Sequence, residues 1–173
     1  MIHEIYGLLK QSLCDEIVNY FETVDKRNFS QYTDFFKNRT LLLNQIEDFK
    51  IRKQIKLFHD KLSQELYLQY GKYVFVEFCD IVKWFPEMEM NIHTDNQNNF
   101  DRHRDYTSIL YLNDDYSGGE TFLPDHNVIC SAEKGKLLVF PSSYPHGVNR
   151  IKNKCRYTLM TWFTEDENFS LMT

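Results

Sequence analysis

Two histidine–aspartate pairs stand close together in the second half of the chain: His93 and Asp95 flank Thr94, and His103 and Asp105 flank Arg104. Side chains two positions apart point the same way on an extended strand, so either pair can grip one metal ion. A third ligand is available in His146, within "FPSSYPHGVNRI", where a proline-containing loop opens into a strand. Two imidazoles and one carboxylate on one face of an octahedron suit Fe(II) and leave positions open for other ligands. The same donors also suit zinc in an open site.

An anion partner lies further on. "KNK" (Lys152 to Lys154) reads as a hairpin turn before "CRYTLMTWF". Pairing Ile151 with Cys155 sets Arg150 opposite Arg156 and turns Arg156 to the same side of one sheet as His146. Four residues of strand then separate them, roughly 13 Å. A long arginine and a short dicarboxylic acid chelating the metal would bridge that gap.

The elements that must position these groups divide near Gly71. Before it, Leu13, Ile17, Tyr20 and Phe21 share a helical face, with Ser12 as the expected cap. "RNFSQYTDFFKNRT" reads as a connector. Apolar residues then recur at steps of three and four, predicting one long helix from about Thr40 to Tyr70. After Gly71, "YVFVEFCDIVKWF", "YTSILYLN", "GGETFL", "KLLVF", "GVNRI" and "RYTLMTWF" read as short strands separated by turn residues. Their spacing predicts an α+β, mainly β architecture: a jelly-roll barrel, or double-stranded β-helix of cupin-like type, with the N-terminal helices packed on one sheet. Thr107, Ile109 and Tyr111 share one strand face, and Ser108, Leu110 and Leu112 the other, as expected for a strand covered on both sides.

The 173 residues suffice for one domain, with 1–70 as helical support and 71–173 as barrel core. Net charge is -5 and no Lys/Arg run occurs, which leaves no footprint for phosphate-backbone binding. No stretch reads as a signal peptide or membrane span, so a cytoplasmic location is expected. Cys14, Cys79, Cys130 and Cys155 are scattered without metal or redox spacing and read as free thiols.

His93-x-Asp95, "YTSILYLNDDYSGGETFLP", "GKLLVFPSSYPHGV" and "RYTLMTWF", in that order, resemble the Fe(II)/2-oxoglutarate-dependent dioxygenases, specifically the prolyl 4-hydroxylase-like branch. The resemblance covers about Val82 to Thr164. It implies that the metal pair precedes the "SILYLN" strand by a loop, which selects His93 and Asp95 with His146 and leaves His103 structural or substrate-facing. It further implies 2-oxoglutarate bound to the iron, its far carboxylate on Arg156 with the Tyr111 hydroxyl sharing it, O2 as oxidant and ascorbate as reductant. The reaction implied is hydroxylation of an unactivated C–H bond with release of succinate and CO2, since Asp95 fills the position that related halogenases leave open. The branch acts on peptidyl proline, on other protein side chains and on small molecules.

Weaker pocket candidates are Trp84, Phe85, Thr107, Val148 and Trp162, since aromatics in strands are more often core. Gly118 and Gly119 are expected in a tight turn, and Arg150, His3, His59 and His126 are expected to be ordinary. The polar stretch "NQNNFDRHRD" (Asn96 to Asp105) reads as a lid. Two other readings stand beside the hydroxylase: a zinc-dependent hydrolase, for which no general base is placed, and a non-catalytic jelly-roll metal-binding module.

Overall fold

The computed structural model describes residues 2–24, 39–98 and 101–171. Among the described residues, two α-helices and ten strands follow one another as β1 (His3–Ile5), α1 (Gln11–Thr23), β2 (Thr40–Leu42), α2 (Phe49–Tyr70), β3 (Phe75–Trp84), β4 (Met90–His93), β5 (Tyr106–Tyr111), β6 (Thr121–Leu123), β7 (Val128–Cys130), β8 (Leu137–Pro141), β9 (His146–Val148) and β10 (Arg156–Thr164). The strands form two antiparallel sheets, ordered β1-β8-β5-β10-β3-β2 and β4-β9-β6-β7.

Helix α2 starts where the Asp48 carboxylate accepts from the Ile51 amide at 2.9 Å, which satisfies one of the four free N–H groups of a first turn. It stops at Gly71, whose left-handed backbone (φ +66°) suits a residue without Cβ. The long helix expected from Thr40 is therefore shorter. Thr40–Leu42 pairs with β3 as an edge strand and a 3-10 turn follows it, so tertiary strand pairing overrides the helical spacing there. Helix α1 has Lys10 at its N-cap, with no side-chain cap from Ser12. Most of the expected connector lies outside the described residues.

The helices cover one face of the larger sheet. Ile17 and Phe21 of α1 and Ile55, Phe58 and Leu62 of α2 pack against Ile81, Leu110, Leu112, Leu137 and Leu159. The opposite face of β5 presents Ile109 and Tyr111 to a second cluster with Leu123, Leu138 and Phe140, inside the barrel. Burial of apolar area on both faces explains why β5 is apolar throughout.

The assumed hairpin between β9 and β10 is corrected. Strand β9 pairs with β4 and β6 in the smaller sheet, while β10 pairs with β3 and β5 in the larger. Arg156 lies opposite Trp84 rather than Arg150, and Ile151 bridges to Gly118. His146 and Arg156 thus face each other's sheets across the barrel interior. The expected sharing of one sheet face does not hold: the two residues line one cavity from opposite sheets.

Candidate active site

His93 closes β4 and His146 opens β9, and the two are direct cross-strand partners. Their ring centroids lie 4.3 Å apart. Asp95 sits two residues beyond His93, where its amide donates to the Ser142 carbonyl at 2.9 Å and ties the loop to the end of β8. One donor atom from each of His93, Asp95 and His146 lies within 4.8 Å of the other two. His103, the alternative, is elsewhere: its ring stacks on Phe169 with centroids 3.3 Å apart.

Both histidines are oriented by their own backbone. His93 Nδ1 lies 2.9 Å from the Asn91 carbonyl, and His146 Nδ1 lies 3.0 Å from the Tyr144 carbonyl. A carbonyl can only accept, so each Nδ1 carries the proton and each Nε2 keeps its lone pair for the shared space. The carboxylate is held as firmly. Thr107 donates to Asp95 Oδ2 at 2.7 Å, and the Thr107 and Ser142 hydroxyls lie 2.9 Å apart. Burial alone would raise the Asp95 pKa, but His93, His146, Thr107 and Trp162 outweigh it and hold the carboxyl at about 2. It is an anion at any ordinary pH.

A cavity of about 360 Å³ opens beside this triad, walled by Trp84, Val148, Met160 and Trp162 and reaching Arg156. Thr107 acts on Asp95 rather than on the wall. Phe85 is 40% exposed and turned outward, the opposite parity from Trp84.

At the far end, Arg156 is 1% exposed, with its guanidinium 5.4 Å from the Tyr111 ring centre and 5.7 Å from that of Trp84. Its Nη2 donates to Thr121 Oγ1 at 3.3 Å, and Tyr111 donates to the same oxygen at 2.8 Å. Burial pushes the Tyr111 phenol well above its usual range, so it stays a donor. Arg156 Nε and the Thr158 hydroxyl, on the same strand face, are buried without a hydrogen-bond partner among the described residues. A buried cation with an unused donor beside a free hydroxyl is an anion receptor. These residues fit 2-oxoglutarate, with metal donors at one end of the cavity and a receptor for a remote carboxylate at the other.

Residues 81–164 match the model of the 2OG-Fe(II) oxygenase superfamily. The matched segment, which carries all three metal donors and Arg156, resembles a 2OG-Fe(II) oxygenase domain. The three donor residues within the matched segment fit the iron that the superfamily's description implies. Among curated proteins, human prolyl 3-hydroxylase 3 is 36% identical over 69 residues, which cover 36% of this chain and 9% of that protein. Rat prolyl 3-hydroxylase 2 is 36% identical over 70 residues, 10% of its length. The chain thus spans about a tenth of the curated relatives it matches.

Solved structures share the oxygenase fold over nearly the whole chain. A prolyl hydroxylase from Trichoplax adhaerens, in complex with a hypoxia inducible factor peptide fragment, superposes with a TM-score of 0.75 at 18% identity, covering 99% of this chain and 87% of its own. A Pseudomonas putida prolyl-4-hydroxylase gives 0.70 at 22% identity, covering 94% and 91%. The viral collagen prolyl hydroxylase of Paramecium Bursaria Chlorella virus-1, in its 2OG complex, gives 0.70 at 16%, covering 94% of each chain.

Several site residues escape sequence reasoning. Ser142 and Thr121 are small hydroxyls in turn-rich stretches, and only the packed barrel shows what they touch. Thr158 and Asp80 carried a usable signal: each is polar and has the parity of the cavity-lining residues of its strand. Arg150 pairs with Glu87 and Glu89 on the surface, and His59 is a buried residue bonded to Thr161 at 3.0 Å. All four cysteines are free. Among the described residues no helix is long and apolar enough to cross a membrane.

Proposed function

We propose that this oxygenase hydroxylates an aliphatic C–H bond of a peptide, with peptidyl proline as its substrate residue. His93, Asp95 and His146 hold the iron, and Arg156 with Thr158 holds the remote carboxylate of 2-oxoglutarate. The observation that carries the assignment is the pairing of a three-donor cluster at one end of the cavity with an unsatisfied guanidinium Nε at the other. When bound, iron, 2-oxoglutarate and O2 supply the oxidising power and release succinate and CO2.

The chain's own contribution is orientation. The Asn91 and Tyr144 carbonyls fix both imidazole tautomers, and Thr107 fixes the carboxylate plane. Tyr111 donates to Thr121 and so holds that hydroxyl against Arg156, keeping the receptor rigid before the acid arrives. Trp84, Val148 and Met160 exclude water from the space between. A zinc hydrolase leaves the buried receptor without a purpose. The names of the related hydroxylases support proline, and the free thiols support a reducing, cytoplasmic compartment.

The test is succinate formation from 2-oxoglutarate with Fe(II), ascorbate and air, with mass spectrometry of a proline-containing peptide library for a gain of one oxygen atom. Succinate formation that disappears in His146→Ala is expected. Tight zinc binding with no response to 2-oxoglutarate overturns the reading.

A further inference from the structure

Asp80 sits mid-way along β3, whose inward residues Phe78, Asp80, Val82 and Trp84 line the cavity. It is 5% exposed, and its Oδ1 is buried without a hydrogen-bond partner among the described residues. Arg104, whose charge acts on Asp80, is committed elsewhere: it donates to Glu77 at 2.9 Å, pairs with Asp101 at 3.2 Å and stacks on Trp162 at 4.4 Å. One guanidinium is therefore shared among three carboxyls at this end of the cavity, leaving an excess of hydrogen-bond acceptors.

A buried acceptor without a donor costs about 1–3 kcal/mol, and the fold gains nothing visible from it. The co-substrate cannot repay that cost to the ionised carboxylate, because 2-oxoglutarate carries only acceptors at its polar ends. We infer that Asp80 is a specificity-determining residue that accepts a hydrogen bond from a nitrogen-bound hydrogen of the substrate, close to the carbon being oxidised. This deepens the proposed peptide hydroxylation and rests on it. A main-chain amide flanking the target residue and a free ammonium share that chemistry. A proline nitrogen inside a peptide has no hydrogen to give, so the donor then belongs to its neighbour.

The test compares the wild type with Asp80→Val, whose side chain has a similar size and suits a strand. Both are loaded with Fe(II) and 2-oxoglutarate and given capped tripeptides with a central proline, each flanking amide carrying hydrogen or methyl, alongside the same peptides with a free amino terminus. In the wild type, one N-methyl substitution is expected to lower kcat/KM at least tenfold, and in Asp80→Val that ratio is expected to collapse toward one. Loss on methylating an amide identifies a neutral donor, and loss on capping the terminus identifies an ammonium. Equal discrimination in both proteins overturns the proposal.

A second readout needs no substrate. The loaded Asp80→Val protein is expected to melt at a higher temperature than the wild type at pH 8, and a lower melting temperature overturns the proposal by showing a structural role. If the wild type releases succinate but oxidises none of the peptides, the peptide reading fails by itself, and the melting comparison still decides the role of Asp80.

Discussion

Arg156 and Tyr111 donate to the same oxygen, Thr121 Oγ1, at 3.3 and 2.8 Å from two different strands. That arrangement leaves Arg156 Nε free and fixes the guanidinium plane. Arg156→Lys keeps the charge and loses the fork. A charge-assisted hydrogen bond is worth roughly 1.5–3 kcal/mol, so the KM for 2-oxoglutarate should rise about ten- to a hundredfold. Tyr111→Phe should have a smaller effect in the same direction. Initial rates against 2-oxoglutarate concentration check both, and an unchanged KM in Arg156→Lys would place the acid elsewhere.

Gly119 presses on the same receptor from behind. Its backbone is left-handed (φ +68°), and a Cβ there would lie 2.9 Å from Ile151 Cγ1 and 3.3 Å from Arg156 Cδ. Gly119→Ala should lower stability by about 1 kcal/mol or more through backbone strain. It should also weaken 2-oxoglutarate binding by displacing Arg156. Thermal melting and co-substrate titration measure the two effects separately.

The metal site should respond to Thr107, which touches the carboxylate but has no role as a ligand. Thr107→Val removes the 2.7 Å bond to Asp95 and keeps the shape. Partners behind a metal ligand are worth about 10–100-fold in affinity, so Mn(II) or Fe(II) binding should weaken by that order. Affinity in the wild type should also fall as the pH drops and protons compete with the metal, first at His93, where burial is outweighed by Asp95 and the Asn91 carbonyl and the pKa is raised, and later at His146, whose pKa burial lowers. Isothermal titration across pH checks both points.

Stability against pH should show two buried groups working in opposite directions. Burial holds the His59 pKa at about 3, below its ordinary 6.5, so the unfolded chain binds the proton first and stability is lost as pH falls below 6.5. Burial raises Asp80 to about 7 from 3.8, with Arg104 lowering it and Asp95 raising it by smaller amounts. Its contribution is therefore fully present below pH 3.8 and is lost as pH rises toward 7. Between about pH 4 and 6.5 the two slopes, each about 1.4 kcal/mol per unit, oppose one another. Asp80→Asn should remove one of them. Denaturant unfolding of that variant should then show stability declining with acid more steeply than in the wild type, and no change in slope would contradict the buried-carboxyl account.

Much of the site was legible because its chemistry rests on residue type and short spacing. His93 and Asp95 are two apart, and the structure brings them together with His146. The alternation of Thr107, Ile109 and Tyr111 against Ser108, Leu110 and Leu112 fixes which face meets the barrel and which meets the helices. The register of β10 was not legible. A short gap ending in "KNK" looks like a hairpin, yet nothing local states that β9 and β10 leave for different sheets. Likewise the helical spacing from Thr40 gave no hint that its first turn would pair with β3.

What the sequence by itself determined is the inventory of donors, the strand parities, and the turn residues that separate the strands, since these depend on chemistry within a few residues. What only the tertiary structure decided is who meets whom across the barrel: His146 facing Arg156 from the opposite sheet, Thr121 shared by Arg156 and Tyr111, and Asp80 Oδ1 left without a donor among the described residues. The reason is that parity assigns a side chain to one of two faces, whereas its neighbours depend on long-range strand pairing, and that pairing is set by how the whole core packs.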